Sequence, residues 1–211
     1  MPETTEFKVY NYRWVVLIVY MFIIIMNQLM WINFAAITSL SKEYYGVDDI
    51  SIGILSMSFM IVYIFVSIPA SWIIDKFGIK TGIGIGAVLT GVFGIARALV
   101  GKDYTLLLIM QIGIAIGQPF LLNAITKTAA LWFPVKERAT ASGLSTLAMY
   151  VGVLVSMLLT PFLVNARGMD GMLMIYGILS VAAALIFLIF SREKPPTPPC
   201  PAGFEERSLV L

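Results

Sequence analysis

Amide and aromatic side chains interrupt the apolar stretches of this chain at spacings that suit recognition of a small organic molecule. In the stretch MNQLMWINF, Asn27 and Trp31 are four residues apart, so a helix would place both on one face. Gln118 and Asn123 lie in a later apolar stretch, and Tyr150 lies in the middle of the next one. An amide in hydrocarbon needs a partner or water, and an indole ring attracts cations. We therefore predict that these five residues bind a substrate.

Hydrogen bonding between helices is the alternative for each amide, because polar side chains inside membrane bundles commonly pair with one another. The pair Asn27 and Trp31 favours substrate contact, since an amide beside a large indole on one face suits a solute. Gln28 and Asn33 are expected to be helix-packing contacts. Arg97, near one end of its apolar stretch, is expected to extend its charge to the membrane interface.

Two short loops between apolar stretches concentrate charge. In the loop DKFGIK, Asp75 stands at the end of an apolar stretch, where an acid is costly unless it is paired or caps a neighbouring helix. The second loop, WFPVKERATASG, carries Arg138 beside an acid and leads into a run of small residues. An ordinary positively charged loop at the cytoplasmic side of a membrane is the simpler interpretation of both.

The composition excludes several classes of activity. The chain has no His and a single Cys, which removes His-based acid–base chemistry, most metal sites and any intrachain disulfide. It also lacks a G-x-S-x-G motif and paired acids within apolar stretches, so we expect no enzyme, no cofactor and no metal. A net charge of +2 gives no reason to expect a nucleic-acid partner. The glycines of Gly82-x-Gly84-x-Gly86 follow no strand and fit close helix packing instead.

The elements that must position these residues are membrane-spanning helices. The chain is 59% hydrophobic and 12% charged, against roughly 25% charged residues in soluble domains. Backbone groups in lipid must be hydrogen-bonded internally, which favours helices. We predict an all-α integral membrane protein with six spans, at about 14–40, 50–74, 79–100, 104–126, 139–164 and 171–190.

The distribution of Lys and Arg predicts the orientation. The loops that lie on the same side as the N-terminus carry most of these residues, which places both termini in the cytoplasm. Residues 1–13 would be a cytoplasmic N-terminus, and residues 191–211 a proline-rich, disordered cytoplasmic tail or the start of a linker. We expect the plasma membrane, or the inner membrane of a cell with two.

The two charged loops resemble motifs of the major facilitator superfamily of secondary transporters. The pattern D-[RK]-x-G-x-[RK] between the second and third spans resembles the signature loop of that superfamily, although the leading Gly of the family is Ser71 here. The matching residues are Asp75, Lys76, Gly78 and Lys80. The pattern W-F-x-x-x-E-R-A-x-A-x-G, which contains Arg138, matches the loop between the fourth and fifth spans.

A narrower resemblance is to the branch related to the feline leukaemia virus subgroup C receptor. The matching stretches are Tyr12-Arg13-Trp14, Tyr45-Gly46-Val47, Leu55-Ser56, Pro69-Ala70-Ser71-Trp72, Ala129-Ala130-Leu131-Trp132-Phe133-Pro134 and Arg138-Ala139-Thr140-Ala141. In that branch a Trp matching Trp31 lines the cavity and packs on a quaternary ammonium headgroup. Two departures bear on the substrate, because the branch has Gln where this chain has Met30 and Tyr150.

The resemblance implies a transporter of twelve spans in two halves, each half built of two inverted three-helix repeats, with the substrate between the halves. This chain would be the amino-terminal half, working with a C-terminal six-helix half or a second copy of itself. The resemblance also implies that Asp75, Lys76, Gly78, Lys80 and Arg138 form a cytoplasmic gate. The expected partners are lipid and a small solute, such as a choline-like cation. There are two alternatives. One is a non-transporting membrane scaffold or half-size subunit, and the other is a transporter of an organic anion or drug-like solute.

Overall fold

The computed structural model describes residues 8–200, and every regular element within that range is helical. The helices are α1 (Tyr12–Ile32), α2 (Thr38–Tyr45), α3 (Asp49–Phe77), α4 (Ile79–Ala96), α5 (Tyr104–Leu122), α6 (Ile125–Trp132) and α7 (Val135–Phe190). Short 3-10 turns at Ala35–Ile37 and Arg97–Leu99 follow α1 and α4. The first seven residues of the predicted N-terminus and residues 201–211 of the predicted tail lie outside the described range.

Five helical stretches within residues 8–200 are long and apolar enough to cross a membrane, which confirms the all-helical membrane class. They are Tyr12–Ile32, Asp49–Phe77, Ile79–Leu99, Tyr104–Trp132 and Val135–Phe190. The predicted spans 139–164 and 171–190 both fall within the 56 residues of α7. A straight helix of that length would measure ~84 Å, far more than the ~30 Å of hydrocarbon.

A change of backbone conformation divides α7. Gly168 has φ 73° and ψ 178°, which is not helical, so α7 consists of two helical arms, 135–167 and 169–190. A residue with a Cβ seldom adopts a positive φ, and a glycine is therefore the natural residue at this break. The number of spans stays a prediction.

The first apolar stretch is also divided. The prediction places one span at 14–40, whereas α1 ends at Ile32 and the separate helix α2 begins at Thr38. Ile37 precedes α2 with φ −135° and ψ 35°, outside the helical region. The α-helix is therefore interrupted between Ile32 and Thr38, shortly after Trp31, and side chains from other helices bond carbonyl groups of the last turn of α1.

Small residues let the helices approach closely. A Cβ at Gly86 of α4 would lie 2.7 Å from the carbonyl oxygen of Gly117 in α5, and a Cβ at Gly117 would lie 2.8 Å from that of Gly86. A Cβ at Gly152 of α7 would lie 2.6 Å from the carbonyl oxygen of Ile25 in α1. Helix contact through glycine faces is the usual way to pack helices where lipid is as apolar as the side chains.

Two helices keep wide apolar faces uncovered. On α3, Ile64, Phe65 and Ile68 are each at least 70% exposed. On the first arm of α7, Leu154, Leu158 and Phe162 are each more than half exposed, and Tyr150 is exposed on the same arm. These faces suit contact with lipid or with another apolar bundle, because they carry hardly any polar side chain.

Candidate functional site

Trp31 and Asn27, predicted to share one wall of a site, contact different helices. Trp31 lies in the last turn of α1, is partly exposed, and its indole Nε1 donates to the carbonyl oxygen of Ser56 in α3 at 3.0 Å. Asn27 is fully buried, and its Nδ2 donates to Thr90 Oγ1 of α4 at 3.0 Å and to the carbonyl of Ile114 in α5 at 3.5 Å. In this conformation Asn27 joins three helices, and Trp31 is the member of the pair that a solute could reach.

Asn123 lies where α5 ends before α6, and its amide is hydrogen-bonded along α3. Its Oδ1 accepts from the Tyr63 hydroxyl at 2.6 Å. Its Nδ2 lies 3.0 Å from both the carbonyl and the hydroxyl oxygen of Ser67, and 2.9 Å from the hydroxyl oxygen of Ser71. The amide therefore ties α5 to α3 at the point where the fourth apolar stretch changes direction.

The other two predicted substrate residues are free of such bonds. Gln118 in α5 is 6% exposed, and Tyr150 in the first arm of α7 is 66% exposed. Neither side chain takes part in a hydrogen bond with any described residue. The structure thus gives Asn27, Trp31 and Asn123 hydrogen-bond partners on neighbouring helices and leaves Gln118 buried without one, so that the rings of Trp31 and Tyr150 are the exposed part of the predicted set.

The expected position of Arg97 at the membrane interface is wrong. Its side chain is completely buried, and its Nη1 donates to Gln111 Oε1 at 2.6 Å, Met30 O at 3.3 Å and Asn33 Oδ1 at 3.4 Å. The guanidinium carbon lies 5.2 Å from the centre of the Phe34 ring. Sequence reasoning missed this cluster because Arg97 is near the end of its apolar stretch and its partners are neutral residues far away in the chain.

The two ends of the bundle meet on one side, here called the terminal face. The Tyr12 hydroxyl at the start of α1 donates to the carbonyl of Phe190 at the end of α7 at 2.8 Å. Beside them Arg13 forms an ion pair with Glu137 at 3.0 Å and stacks near the Trp14 and Phe133 rings. The charged loops predicted to form a gate lie at this same face.

Asp75 of the signature loop already has a partner in this chain. Lys127 of α6 approaches Asp75 Oδ1 at 2.8 Å and also donates to the carbonyl of Ile74 at 2.8 Å. Lys76 lies 4.6 Å from the centre of the Trp72 ring and 5.4 Å from that of Phe77. The α3–α4 turn is therefore held both by an ion pair and by cation–π contact.

The segment after α7, residues 191–200, crosses the terminal face and is here called the strap. Glu193 of the strap accepts from the backbone N–H of Ile79 at 2.8 Å and of Lys80 at 2.7 Å. Both N–H groups belong to the first turn of α4, where unpaired donors and the helix dipole favour a carboxylate. Gly78 adopts φ 92°, and a Cβ at this position would collide with the Glu193 carboxylate.

Further contacts attach the strap to the bundle. The hydroxyl oxygens of Thr197 and Tyr10 are 3.3 Å apart, and Arg138 Nη2 donates to Cys200 Sγ at 3.3 Å. Arg138 also donates through Nε to the carbonyl of Phe133. These contacts place residues 191–200 against the bundle, and the disorder expected of the tail from its proline content stays a prediction.

The opposite end of the bundle carries a smaller polar cluster. The Tyr44 hydroxyl donates to Asp170 Oδ1 at 2.6 Å, and Lys102 lies 5.1 Å from the centre of the Tyr44 ring. Partial burial and then the Asp170 carboxylate raise the pKa of Tyr44 from 10.0 to about 12. A cavity of about 320 Å³ opens there, lined by Leu40, Glu43, Tyr44, Lys102, Val164 and Met169.

Comparison with known proteins gives one family and a consistent fold. The model of the Major Facilitator Superfamily matches residues 16–211. Solute carrier family 49 member A3 of Xenopus tropicalis is 31% identical over 98% of this chain and 45% of its own length. The human choline/ethanolamine transporter FLVCR2 is 29% identical over 93% of this chain and 39% of its own length. The chain thus spans about half the length of these relatives, or less.

Solved structures show the same arrangement of helices. A bacterial homologue of the human lysosomal transporter Spinster superposes with a TM-score of 0.82 at 19% identity, covering 93% of this chain and 46% of that protein. A POT family transporter crystallised with 5-aminolevulinic acid superposes with a TM-score of 0.66 at 20% identity, covering 92% and 42%. At these identities the likeness concerns the fold.

Proposed function

This chain belongs to the major facilitator superfamily, and on that premise we propose that it is one half of a secondary active transporter. It moves a small organic solute across the membrane by alternating access. The other half is a C-terminal six-helix bundle or a second copy of this chain. It is an integral protein of the plasma membrane or inner cell membrane, and its terminal face is cytoplasmic.

Six crossings fit this proposal better than five. A chain returns to its starting side of a membrane only after an even number of crossings, and the hydrogen bond between Tyr12 and Phe190 supports an arrangement with both bundle ends on one side. Counting the two arms of α7 separately gives six. Two inverted three-helix repeats, α1 to α4 and α5 to α7, then make up the half, as in related transporter folds.

The uncovered faces of α3 and of the first arm of α7 support a two-part transporter. Both faces are apolar, and both belong to helices that carry predicted substrate residues or their partners. A second bundle docked there would enclose Trp31 and Tyr150 between the halves, and Gln118, which is buried in α5 here, would have to reach the solute in another conformation. Asn27 and Asn123 then contribute to the site indirectly. Their hydrogen bonds hold together the helices that carry the solute-contacting residues.

A choline-like cation is the proposed substrate, and the accessible Trp31 indole is the observation that carries it. Its Nε1 is fixed on the Ser56 carbonyl, so the ring is held in one orientation. A quaternary ammonium group gains about 0.5–2 kcal/mol over a Trp face without needing a carboxylate. Tyr150 supplies a second aromatic ring on another helix. Relatives named as choline/ethanolamine transporters support the same class.

The gate is proposed to be the α3–α4 turn with its neighbours. Asp75, Lys76, Gly78 and Lys80 lie in that turn, and Arg138 lies at the start of α7. In this conformation their partners are Lys127, the strap and nearby backbone. Closing the cytoplasmic side would bring the other half of the transporter against these groups. The ion pair and hydrogen bonds within this half would then compete with interactions between the two halves.

Uptake of labelled choline by the protein that contains this chain, reconstituted in proteoliposomes, tests the proposal. We expect saturable uptake that Trp31→Ala reduces at least tenfold and Trp31→Phe reduces less, because the phenyl face keeps part of the cation–π attraction. Ile18→Ala is the control, since Ile18 lies on the same helix as Trp31, is 62% exposed and should leave the affinity for choline unchanged. Equal uptake by Trp31→Ala and the wild type would reject the site.

Two alternatives have specific support. The Asn123 amide, bonded through both its oxygen and its nitrogen, and the Nδ2 of Asn27, bonded to Thr90, fit a non-transporting scaffold or half-size subunit, which needs no open polar face. The apolar stretch that contains Trp31, residues 14–40, has no Asp or Glu, which is compatible with an organic anion or drug-like solute. Competition of choline uptake by ethanolamine, an organic anion and a neutral solute separates the transporter classes. No uptake of any labelled solute favours the scaffold.

A further inference from the structure

Arg97 is a buried cation whose compensation is unusual. Its side chain is fully enclosed, and no carboxylate within residues 8–200 forms an ion pair with it. Its Nε and Nη2 atoms have no hydrogen-bond partner among those residues. Burying a charge without a counter-charge costs several kcal/mol even after relaxation. Ionisable groups at such depth are retained when they act on a functional element.

Apart from Gln111 of α5, the groups that Arg97 reaches belong to the end of α1 and the residues directly after it. Because α1 stops at Ile32, its last carbonyls have no N–H partner within the helix. Met30 O accepts from Arg97 Nη1 at 3.3 Å and from Gln111 Nε2 at 3.2 Å. Leu29 O accepts from Ser156 Oγ of α7 at 2.9 Å. Side chains of three other helical elements thus replace the missing helical hydrogen bonds.

The positive charge of Arg97 is stabilised by its position at the C-terminal end of α1. The C-terminus of a helix carries about half a negative charge, which attracts a cation. Arg97 adds a hydrogen bond to Asn33 Oδ1 and a cation–π contact with Phe34, both in the bend that follows α1. Gln111 joins these contacts, since its Oε1 accepts from Arg97 while its Nε2 donates to Met30.

Trp31 lies between the groups that Arg97 holds. Met30 precedes it directly, and Asn33 and Phe34 follow it within three residues. We infer that Arg97 is a positioning residue of the solute site: from inside the bundle it fixes the break in α1 and so the orientation of the Trp31 indole. The inference rests on the proposed function only for the role of Trp31. The effect of Arg97 on the break can be measured without transport.

Hydrogen–deuterium exchange of the 211-residue chain in lipid nanodiscs is the direct test. We expect Arg97→Gln to speed exchange of the amides of residues 33–38 by about tenfold, because the break loses a charge-assisted hydrogen bond. Arg97→Lys, which keeps the charge, should recover part of the protection. Ser145→Ala is the matched control, since Ser145 is buried and bonds only within its own helix. Unchanged exchange at residues 33–38 in Arg97→Gln overturns the inference, and so does the same loss in every helix.

Transport kinetics test the link to Trp31. In the reconstituted protein, Arg97→Gln should raise the KM for choline by about tenfold and change kcat much less. Arg97→Lys should bring the KM back toward the wild-type value. A purely structural role would lower the amount of active protein and leave KM unchanged, which overturns the positioning role. If the wild type takes up no choline, the proposed function fails, while the exchange experiment still decides whether Arg97 fixes the break.

Discussion

Glu193 and Lys80 are 113 residues apart in the chain, and the carboxylate of Glu193 accepts the backbone N–H of Lys80 at 2.7 Å. The same carboxylate accepts from Ile79, so a single side chain of the strap caps α4 at the centre of the signature loop. The conformation of that loop thus depends on residues that follow the helical bundle.

Replacing Glu193 by Gln should uncap α4. The variant keeps the size of the side chain but loses the charge, and N-terminal caps and dipole interactions together contribute about 1 kcal/mol. We expect a lower melting temperature and faster amide exchange at Ile79 and Lys80. Lys194→Gln, at the exposed neighbouring position of the strap, is the control and should change neither quantity. Unchanged exchange at Ile79 in Glu193→Gln would contradict the prediction.

Gly78→Ala should destabilise the same turn by a different route. The φ of 92° strains any residue with a Cβ by about 1–3 kcal/mol, and the methyl group would push the Glu193 carboxylate away from α4. Gly53→Ala provides the comparison, because it lies in helix α3 with nothing within 4 Å of an added Cβ. Thermal unfolding in detergent should show a loss for Gly78→Ala and no loss for Gly53→Ala.

Asp75→Asn should alter the balance of states more than it alters stability. Asp75 is 74% exposed and its ion pair with Lys127 contributes at most about 1 kcal/mol. If the turn is the gate, Asp75→Asn weakens the outward-facing state, and a cysteine placed at the terminal face is labelled faster. The exchanged pair Asp75→Lys with Lys127→Asp should restore part of the attraction within this half. Identical labelling in all variants would remove Asp75 from the gate.

The Tyr44–Asp170 pair gives a pH dependence outside the membrane-spanning segments. The folded-state pKa of Tyr44 is about 12, above the ordinary 10.0. A raised pKa means that the stability contribution is complete below pH 10 and is lost as the pH rises toward 12. Asp170→Asn should lower the pKa of Tyr44 only part of the way, since burial is the larger cause. Tyrosinate absorbance, with Tyr44→Phe subtracted, measures the midpoint.

The sequence predicts the helical class because apolar stretches between charged clusters mark membrane segments directly. It does not predict the surroundings of α1. Asn27 and Trp31 are four residues apart on α1, but α1 is surrounded by helices on several sides. Asn27 therefore contacts α4 and α5, whereas Trp31 contacts α3. A periodic pattern identifies an inward face only when a helix has a single buried side.

Two other features depend on contacts between distant residues. Arg97 is stabilised by a backbone carbonyl, two amides and a ring, none of which carries a charge that a search for ion pairs would find. The strap contacts three separate parts of the terminal face through Glu193, Thr197 and Cys200. Proline-rich composition describes the chain stiffness of that segment and not its partners.

The hydrogen bond between Tyr12 and Phe190 brings the first and last helices of the bundle together. The packing of the helices therefore depends more on which helices are neighbours than on the order in which the chain connects them. When the two ends of a bundle are close, a short peptide can join them and new chain termini can be made in another loop. A circular permutant that begins at Tyr104, after the exposed turn at Gly101 and Lys102, should therefore assemble the same helices around the same break in α1.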